Sequence, residues 1–532
     1  MFIHGSSLAG RLRLLVAGAI AVGASGCGGD SSPAAPVAKG PSIQALTATC
    51  TSLKGQVVGG VTITDTKRFE AVANVNPAGF CQVLATRAPY LDIEVDVPDN
   101  WSGRLLQQGG GGFDGTIPSA VTTDTNGAVT AVNTAITDKA AIYAASNGGN
   151  RAANPAQAAP MVWASGTADG HASATDFAYQ SLGTTVVFAK AVAKSFYSEA
   201  PRYTYFNGCS EGGREAYVAA QRWPDQYDGI VQGCETMDMT SLVSGLLSTS
   251  SKSLSPAAIS PPQFAASYAI VLGQCDAADG VADSYLTHPS SCSVSPAILQ
   301  CGQPQANPDP ALCLSAAQVS TLSGMLGDVV LGDGNIAYSG YAWTDFSQWG
   351  PAFGGLAGGF ALLATGDPSW MSPQRQAAFN LDTDYYVLGD ALLRNGIDHD
   401  KAAIASYVAS GKKLLSWHDA GDSLVSAADH ARNHAIMTQM AGSMGLADAR
   451  ANTRLFTVPA SSHGLGADFH QVDWLSAIID WTENAKAPAQ LTYAFAAGST
   501  ARTLPVCEFP AYPRYNGTGD LNAAGSYTCT AP

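Results

Sequence analysis

Gly208-Cys209-Ser210-Glu211-Gly212 carries a serine framed by glycines, and it lies between an apolar run at Tyr203 to Phe206 and a helical pattern from about Gly213 to Arg222. In a strand-to-helix setting a G-x-S-x-G turn lifts the hydroxyl out of a sheet, where it can attack a carbonyl carbon. The small residues permit the sharp bend. The N–H of Glu211, at the start of the helix, can stabilise the oxyanion that develops. The bare pattern equally fits a glycine-rich turn around an inert serine, so its partners decide.

A serine nucleophile needs a base and an orienting carboxylate, and on this kind of sheet they follow in the order Ser, Asp, His. Lys412 to Trp417 reads as a strand leading into His418-Asp419-Ala420-Gly421-Asp422. Arg454 to Val458 reads as another, leading into Pro459-Ala460-Ser461-Ser462-His463-Gly464. Loops that follow parallel strands line the active-site edge of such sheets. His463 is preferred to His470, which falls inside an amphipathic helical pattern from Phe469 to Asn484, and His418 reads as structural. Asp419 and Asp422 are both open as the acid at this point. Gln107-Gln108-Gly109-Gly110-Gly111-Gly112-Phe113 follows an early strand, and its glycines let backbone approach a ligand closely, as a second oxyanion donor must. No Lys-Ser or Lys-Thr follows, so this is not a phosphate loop.

Cys275 to Tyr285 places Asp276, Asp279 and Asp283 around Gly280. Hard oxygen ligands with interleaved backbone carbonyls suit Ca²⁺, and zinc is disfavoured without His or Cys ligands. On spacing alone a solvated acidic turn ranks ahead of a metal site.

These residues must be held by an alternating framework. Leu91, Ile93, Val95 and Val97 alternate with Asp92, Glu94 and Asp96 as a half-buried strand, and Trp101-Ser102-Gly103-Arg104 turns into the next, so the early strands read as antiparallel hairpins. Ala140 to Ala145 is a further apolar run. Ala174 to Phe196 is apolar at helical spacing, with Ser173 and Thr175 as cap candidates. Gly229 to Val231 follows as a strand. Strands alternating with helices predict an α/β sheet. From about Thr240 to Lys401 the periodicity weakens into Ser-, Gly- and Pro-rich sequence. The expected organisation is therefore a core in two parts, 46–239 and 402–532, with an inserted domain at 240–401.

The chain has 532 residues, 46% hydrophobic and 13% charged, with 27 Lys and Arg against 42 Asp and Glu, for a formal charge of −15. It can bury a large core, and without basic clusters it does not read as a nucleic-acid binder. Arg11 and Arg13 precede an apolar stretch from Leu14 to Ala24, too short to span a bilayer and suited to a signal peptide over 1–26. Ala24-Ser25-Gly26-Cys27 resembles a lipoprotein cleavage box, followed by a flexible tether over 27–45. The expectation is export to the periplasm, to the outer membrane through a lipid anchor at Cys27, or to the medium. Phe346 to Gly366 is too rich in Gly, Pro and polar residues for a membrane helix. Setting Cys27 aside leaves an even number of cysteines in an exported chain, which argues for disulfides. Sequence neighbours suggest Cys50 with Cys81, Cys275 with Cys292, Cys301 with Cys313 and Cys507 with Cys529, leaving Cys209 and Cys234.

With these motifs the chain resembles the tannase and feruloyl esterase family, which includes the mono(2-hydroxyethyl) terephthalate hydrolases. The matching stretches are Asn100 to Arg104 with its Gly run, Gly208 to Glu215, Asp225 to Val231, Cys275 to Asp283, His418 to Asp422 and Arg514 to Asp520. The resemblance implies an α/β-hydrolase core with a large inserted lid domain and hydrolysis of esters of small aromatic acids by a serine carboxylesterase. By position it assigns Ser210, Asp422 and His463 to the triad and Gly112 with Glu211 to the oxyanion hole. It also implies a structural Ca²⁺ in the lid, with Asp276, Asp279, Val281, Asp283 and Tyr285 as its ligand set. One departure stands out. The family links a cysteine before the nucleophile to one after the catalytic histidine, whereas Gly464 follows His463 here. Cys234 lies just past the strand expected beside the nucleophile strand, which proposes Cys209 with Cys234.

Feruloyl, galloyl and terephthalate esters differ in lid contacts. Arg375, with Phe379 nearby, could pair with the free carboxylate of a terephthalate monoester, against the plainer reading of an exposed arginine. The rival from another class is a surface lipoprotein that binds aromatic ligands on a catalytically silent hydrolase scaffold.

Overall fold

The computed structural model describes residues 40–532 apart from 155–156, 349–351, 465–470 and 498, and leaves the side chains at 352 and 497 undescribed. The expected signal peptide, Cys27 and residues 27–39 of the expected tether lie outside the described residues. A helix already stands before the expected core boundary at 46. Ser42 caps a helix at Ile43–Leu53, accepting from the Ala45 N–H, and Leu46, Cys50 and Leu53 are buried. Residues 41–532 form one compact unit.

The frame is a twelve-stranded sheet. In chain order its strands are β1 (Val57–Val58), β2 (Val61–Phe69), β3 (Phe80–Arg87), β4 (Leu91–Pro98), β5 (Arg104–Gln108), β6 (Ile142–Ser146), β7 (Tyr203–Cys209), β8 (Gly229–Gly233), β9 (Lys413–Asp419), β10 (Thr453–Val458), β11 (Gln490–Ala497) and β12 (Thr500–Glu508). Across the sheet the order is β1-β2-β3-β4-β6-β5-β7-β8-β9-β10-β12-β11. The run from β6 through β10 is parallel. Antiparallel strands flank it on both sides. This is the mixed sheet of an α/β-hydrolase fold, and it corrects one expectation. β4 and β5 are consecutive but do not pair, because β6 lies between them, antiparallel to β4 and parallel to β5. The cause is burial: from Leu105 to Gln108 every residue of β5 is inside, as a central parallel strand requires.

Two other boundaries differ. The helix expected over Ala174 to Phe196 starts earlier, at Ala168, where Thr167 accepts from the Gly170 N–H. It passes through a π-turn at Asp176–Gln180 and continues as Ser181–Tyr197. Ser173 does not cap it; its buried hydroxyl donates to the Gly149 carbonyl at 2.8 Å. Of the helix expected over Phe469 to Asn484, Phe469 and His470 lie outside the described residues, and the described helix starts at Trp474, where Asp473 accepts from the Ser476 N–H.

The segment between β8 and β9 is mainly helical, with Met239–Ser253, Pro261–Cys275, Ala316–Leu326, Ala352–Thr365 and Leu381–Arg394 as its longer helices. Its apolar residues share a cluster with Trp163, Phe177 and Leu424 from outside it. The insertion is thus packed over the turn region of the sheet and does not close on itself. Among the described residues no helix is long and apolar enough to cross a membrane.

Candidate active site

β7 ends in Cys209, and the helix Glu211–Arg222 starts two residues later, so Ser210 alone makes the turn. Its φ of 59° and ψ of −123° are strained for a residue with a Cβ. The turn is possible because its neighbours are small. A Cβ on Gly208 would lie 2.4 Å from the Gly212 carbonyl oxygen, and one on Gly212 would lie 2.9 Å from that of Gly110. Such contacts exclude any larger side chain.

β9 and β10 end beside this turn. The turn after β9 carries Asp422 and the loop after β10 carries His463. Asp422 Oδ2 lies 2.7 Å from His463 Nδ1, and His463 Nε2 lies 2.9 Å from Ser210 Oγ. With Nδ1–H donating to the carboxylate, Nε2 presents its lone pair to the serine proton. Of the two candidate acids, Asp422 therefore faces His463. Its Oδ1 accepts the Leu424 and Val425 N–H groups at 2.8 and 2.9 Å, which fixes its plane. Burial works against charge on both groups. It is outweighed by their mutual attraction, which pushes the His463 imidazole up to about 9 and holds the Asp422 carboxyl below the usual carboxylate range.

Asp419 is turned elsewhere. Its Oδ2 accepts the Gly464 N–H at 2.8 Å. Burial and the charge of Asp422 push its carboxyl up to about 7. His418, read as structural, also reaches the site. Its Nε2 is 3.2 Å from Asp422 Oδ2, and its Nδ1 is 2.8 Å from Nδ1 of His430.

The glycine run is fastened directly to the serine turn. The Gly212 N–H donates to the Gly110 carbonyl at 3.1 Å, and the Gly110 N–H donates to Glu215 Oε2 at 3.1 Å. Phe113, at the end of the run, packs edge-on against Trp163 and Phe360, with ring centroids 5.5 and 5.1 Å away. Gly112, with φ of 63°, has nothing within 4 Å of the position a Cβ would take, so the loop is open at that point. The Glu211 N–H belongs to the first turn of its helix, where backbone donors lack helical partners. The Glu211 side chain points inward to a fully buried Arg214, whose Nε is 2.7 Å from Oε1 and whose other nitrogens donate to the Ala178 and Phe177 carbonyls. Burial pushes the Glu211 carboxyl up to about 8 even against that guanidinium. The sequence analysis assigns no role to Glu215 or Arg214 and weighs Asp419 only as an alternative acid. For Arg214 the signal is its spacing, three residues after Glu211 on the same helix.

Five disulfides join Cys50 to Cys81, Cys209 to Cys234, Cys275 to Cys292, Cys301 to Cys313 and Cys507 to Cys529. The second ties the serine turn to the end of β8, with Cα atoms 5.2 Å apart.

The acidic turn is a set of oxygen acceptors served by protein donors. Asp276 accepts the Asp283 and Ser284 N–H groups. Asp279 accepts from the Val281 N–H and the Thr287 hydroxyl. Asp283 accepts the Tyr285 N–H and pairs with the buried Arg502. Burial pushes the Asp279 carboxyl up, and the charges of Asp283 and Asp276 add to this. Among the described residues no three acidic, imidazole or thiol side chains converge as a metal cage. The donor chemistry fits a hard divalent cation, which would relieve the mutual repulsion; to hold one, Asp283 would have to turn from Arg502. Arg375 is engaged as well. Its two terminal nitrogens meet Asp384 at 3.1 and 2.7 Å, and its guanidinium stacks 3.6 Å above Trp370. Phe379, half-buried, packs on the apolar cluster of the insertion.

The profile of the family described as tannase and feruloyl esterase matches residues 73–530. The chain belongs to that family. A mono(2-hydroxyethyl) terephthalate hydrolase of Piscinibacter sakaiensis is 29% identical, covering 84% of this chain and 82% of the relative. A feruloyl esterase B of Aspergillus niger is 26% identical, covering 83% and 84%. Among solved structures, feruloyl esterase B from Aspergillus oryzae superposes with a TM-score of 0.75 at 21% identity, over 91% of this chain and all of that one. The tannin acyl hydrolase of Aspergillus niger gives 0.67 at 19% identity, over 92% and 95%. Both support the fold. The protein is an ester hydrolase of the feruloyl esterase and tannase type.

Proposed function

We propose that this hydrolase cleaves esters of small aromatic acids through an acyl-enzyme on Ser210. The observation that carries the reading is the unbroken chain from Ser210 Oγ to His463 Nε2 and from His463 Nδ1 to Asp422 Oδ2. As Ser210 Oγ attacks the ester carbonyl carbon, its proton passes to His463 Nε2, and Asp422 stabilises the imidazolium without taking the proton. The carbonyl oxygen becomes an oxyanion, met by the backbone N–H groups of Glu211 and Gly112. Collapse breaks the ester C–O bond, and the alcohol leaves with the proton from His463. Water then attacks the acyl-Ser210 ester, giving its proton to His463, and the acid departs as Ser210 regains its own.

A catalytically silent scaffold gives no reason for a strained serine in contact with a carboxylate-backed imidazole. A terephthalate monoester is the second substrate reading, favoured by the relative of that activity. In this chain its free carboxylate would compete with Asp384 for Arg375. The insertion between β8 and β9 acts as the lid over the acyl pocket, and we read the acidic turn from Asp276 to Tyr285 as a structural Ca²⁺ site within it. Five disulfides accord with an exported enzyme, for which Cys27 offers a lipid anchor. The deciding experiment is a kinetic screen of purified protein against methyl ferulate, methyl gallate and a terephthalate monoester, with Ser210→Ala as control. Turnover of at least one, lost in the variant, is expected. Equal hydrolysis by both proteins would overturn the reading.

A further inference from the structure

His463 must meet Ser210 and Asp422 from a loop that has no covalent fastening of its own. Its neighbour is Gly464, with φ of 67°, and Cys209 is bonded to Cys234. Among the described residues, Asp419 grips this loop by its side chain. It is the last residue of β9, fully buried, and its Oδ2 accepts the Gly464 N–H at 2.8 Å across 45 residues of sequence. The register explains the meeting, since β9 and β10 are parallel neighbours in which Asp419 stands opposite Val458, the last residue before the loop. Two backbone bonds run alongside. The Ala420 N–H donates to the Val458 carbonyl at 2.8 Å and the Gly421 N–H to that of Ser461 at 3.0 Å. Those two hold the near end of the loop. Asp419 alone among these contacts holds it beyond His463. The same short turn supplies Asp422, so a single element carries both the partner of the imidazole and the anchor of the loop on which that imidazole rides.

A backbone N–H aimed at a buried carboxyl oxygen is a directional bond, and removing the oxygen leaves a buried donor without that partner. We propose that Asp419 is a positioning residue for ester hydrolysis: by accepting the Gly464 N–H it holds the His463 loop in place, so that Nε2 stays aligned with Ser210. The proposal rests on the reading of Ser210, His463 and Asp422 as the reacting groups. It assigns Asp419 no proton and no contact with substrate. Its signature is therefore a loss in the chemical step with substrate binding retained, rescued by any residue of the same shape that keeps the oxygen.

Asp419→Asn retains a side-chain oxygen for the Gly464 N–H, whereas Asp419→Leu fills similar space without one. Misplacement by about 1 Å can cost about 10²-fold in rate. The Leu variant should lose kcat on that scale with KM little changed, and the Asn variant should recover most of it. A Leu variant with wild-type kcat, or Asn and Leu variants equally impaired, would overturn the proposal. Ser210→Ala, assayed in parallel, separates the two levels of failure. If it stays active, the reading of the site is wrong; if it is dead while the Leu variant is unimpaired, only the role of Asp419 falls. Should the Leu variant not fold, native-state amide exchange on the wild-type and Asn proteins decides. A protected Gly464 amide in both supports the anchor, and exchange at the rate of an open loop overturns it.

Discussion

Asp422 and His463 are buried against each other, Oδ2 to Nδ1 at 2.7 Å, and their attraction overcomes the cost of keeping both out of water. The pair has a pH signature with a definite sign. His463 accepts a proton only when neutral, and its imidazole is held up at about 9 by the carboxylate. The acidic limb of kcat/KM should therefore lie well above the ordinary histidine value, with rate rising toward pH 9. Asp422→Asn removes the attraction and leaves the burial, so the limb should move to lower pH while the rate falls by about 10⁴. Asp419→Asn, which removes a smaller contribution to the same rise, should move the limb down less than Asp422→Asn does. pH–rate profiles of the three proteins check this, and a limb displaced further by Asp419→Asn than by Asp422→Asn would reassign the acid.

Ser210→Ala should abolish turnover with the fold intact. Removing the nucleophile of such an interdependent set typically costs about 10⁶ in rate. Because the strained φ of 59° at Ser210 is imposed by its neighbours, alanine inherits the same strain, and melting temperature should change little. Single-turnover kinetics with circular dichroism test both halves.

Much of this site was legible because its chemistry sits at strand ends, where an apolar run meets a polar loop. Ser210, Asp422 and His463 all stand there, and their chain order alone narrowed the choice. The sheet edge was less legible. Alternation in β4 suggested a hairpin with β5, yet nothing local records that β6, more than thirty residues later, inserts between them. Caps misled where a hydroxyl had a better partner, as when Ser173 donates to Gly149 instead of starting a helix. The bond from Gly464 to Asp419 is likewise invisible to spacing, since it depends on the register of two strands. Glu215, which braces Gly110, belongs to the same kind of long-range pairing.

The Cys209–Cys234 bridge ties the serine turn to the adjacent strand end, and the Ser210 N–H also donates to the Gly233 carbonyl at 3.1 Å. The bridge closes a separation of 25 residues, worth about 3 kcal/mol in the chain-entropy account. Replacing both cysteines by alanine should lower the melting temperature clearly and lower kcat by loosening Ser210 relative to His463. Non-reducing peptide mapping should recover the Cys209 and Cys234 peptides as one species. Two free thiols after denaturation in alkylating reagent would contradict the pairing.

The acidic turn offers a test in which stability and activity part company. Asp276, Asp279 and Asp283 repel one another, most plainly at Asp279, whose carboxyl is pushed up by burial and by its two neighbours. Part of that repulsion is met by Arg502 at Asp283, and a divalent cation would meet the rest. A ligand that binds only the folded state stabilises it by mass action, by about 2.7 kcal/mol at a hundredfold excess over its dissociation constant. The turn is braced against the C-terminal segment, where the hydroxyl oxygen of Thr287 lies 3.0 Å from the Pro513 carbonyl, and not against Ser210 or His463. Added Ca²⁺ should therefore raise the melting temperature and chelator lower it, while kcat at low temperature stays nearly constant. Arg502→Gln should sharpen the effect, since it frees Asp283 to turn toward the ion and leaves the apo turn with more uncompensated charge. A melting temperature indifferent to both Ca²⁺ and chelator, in wild type and variant alike, would leave Arg502 as the whole of the compensation and remove the cation from the account of this fold.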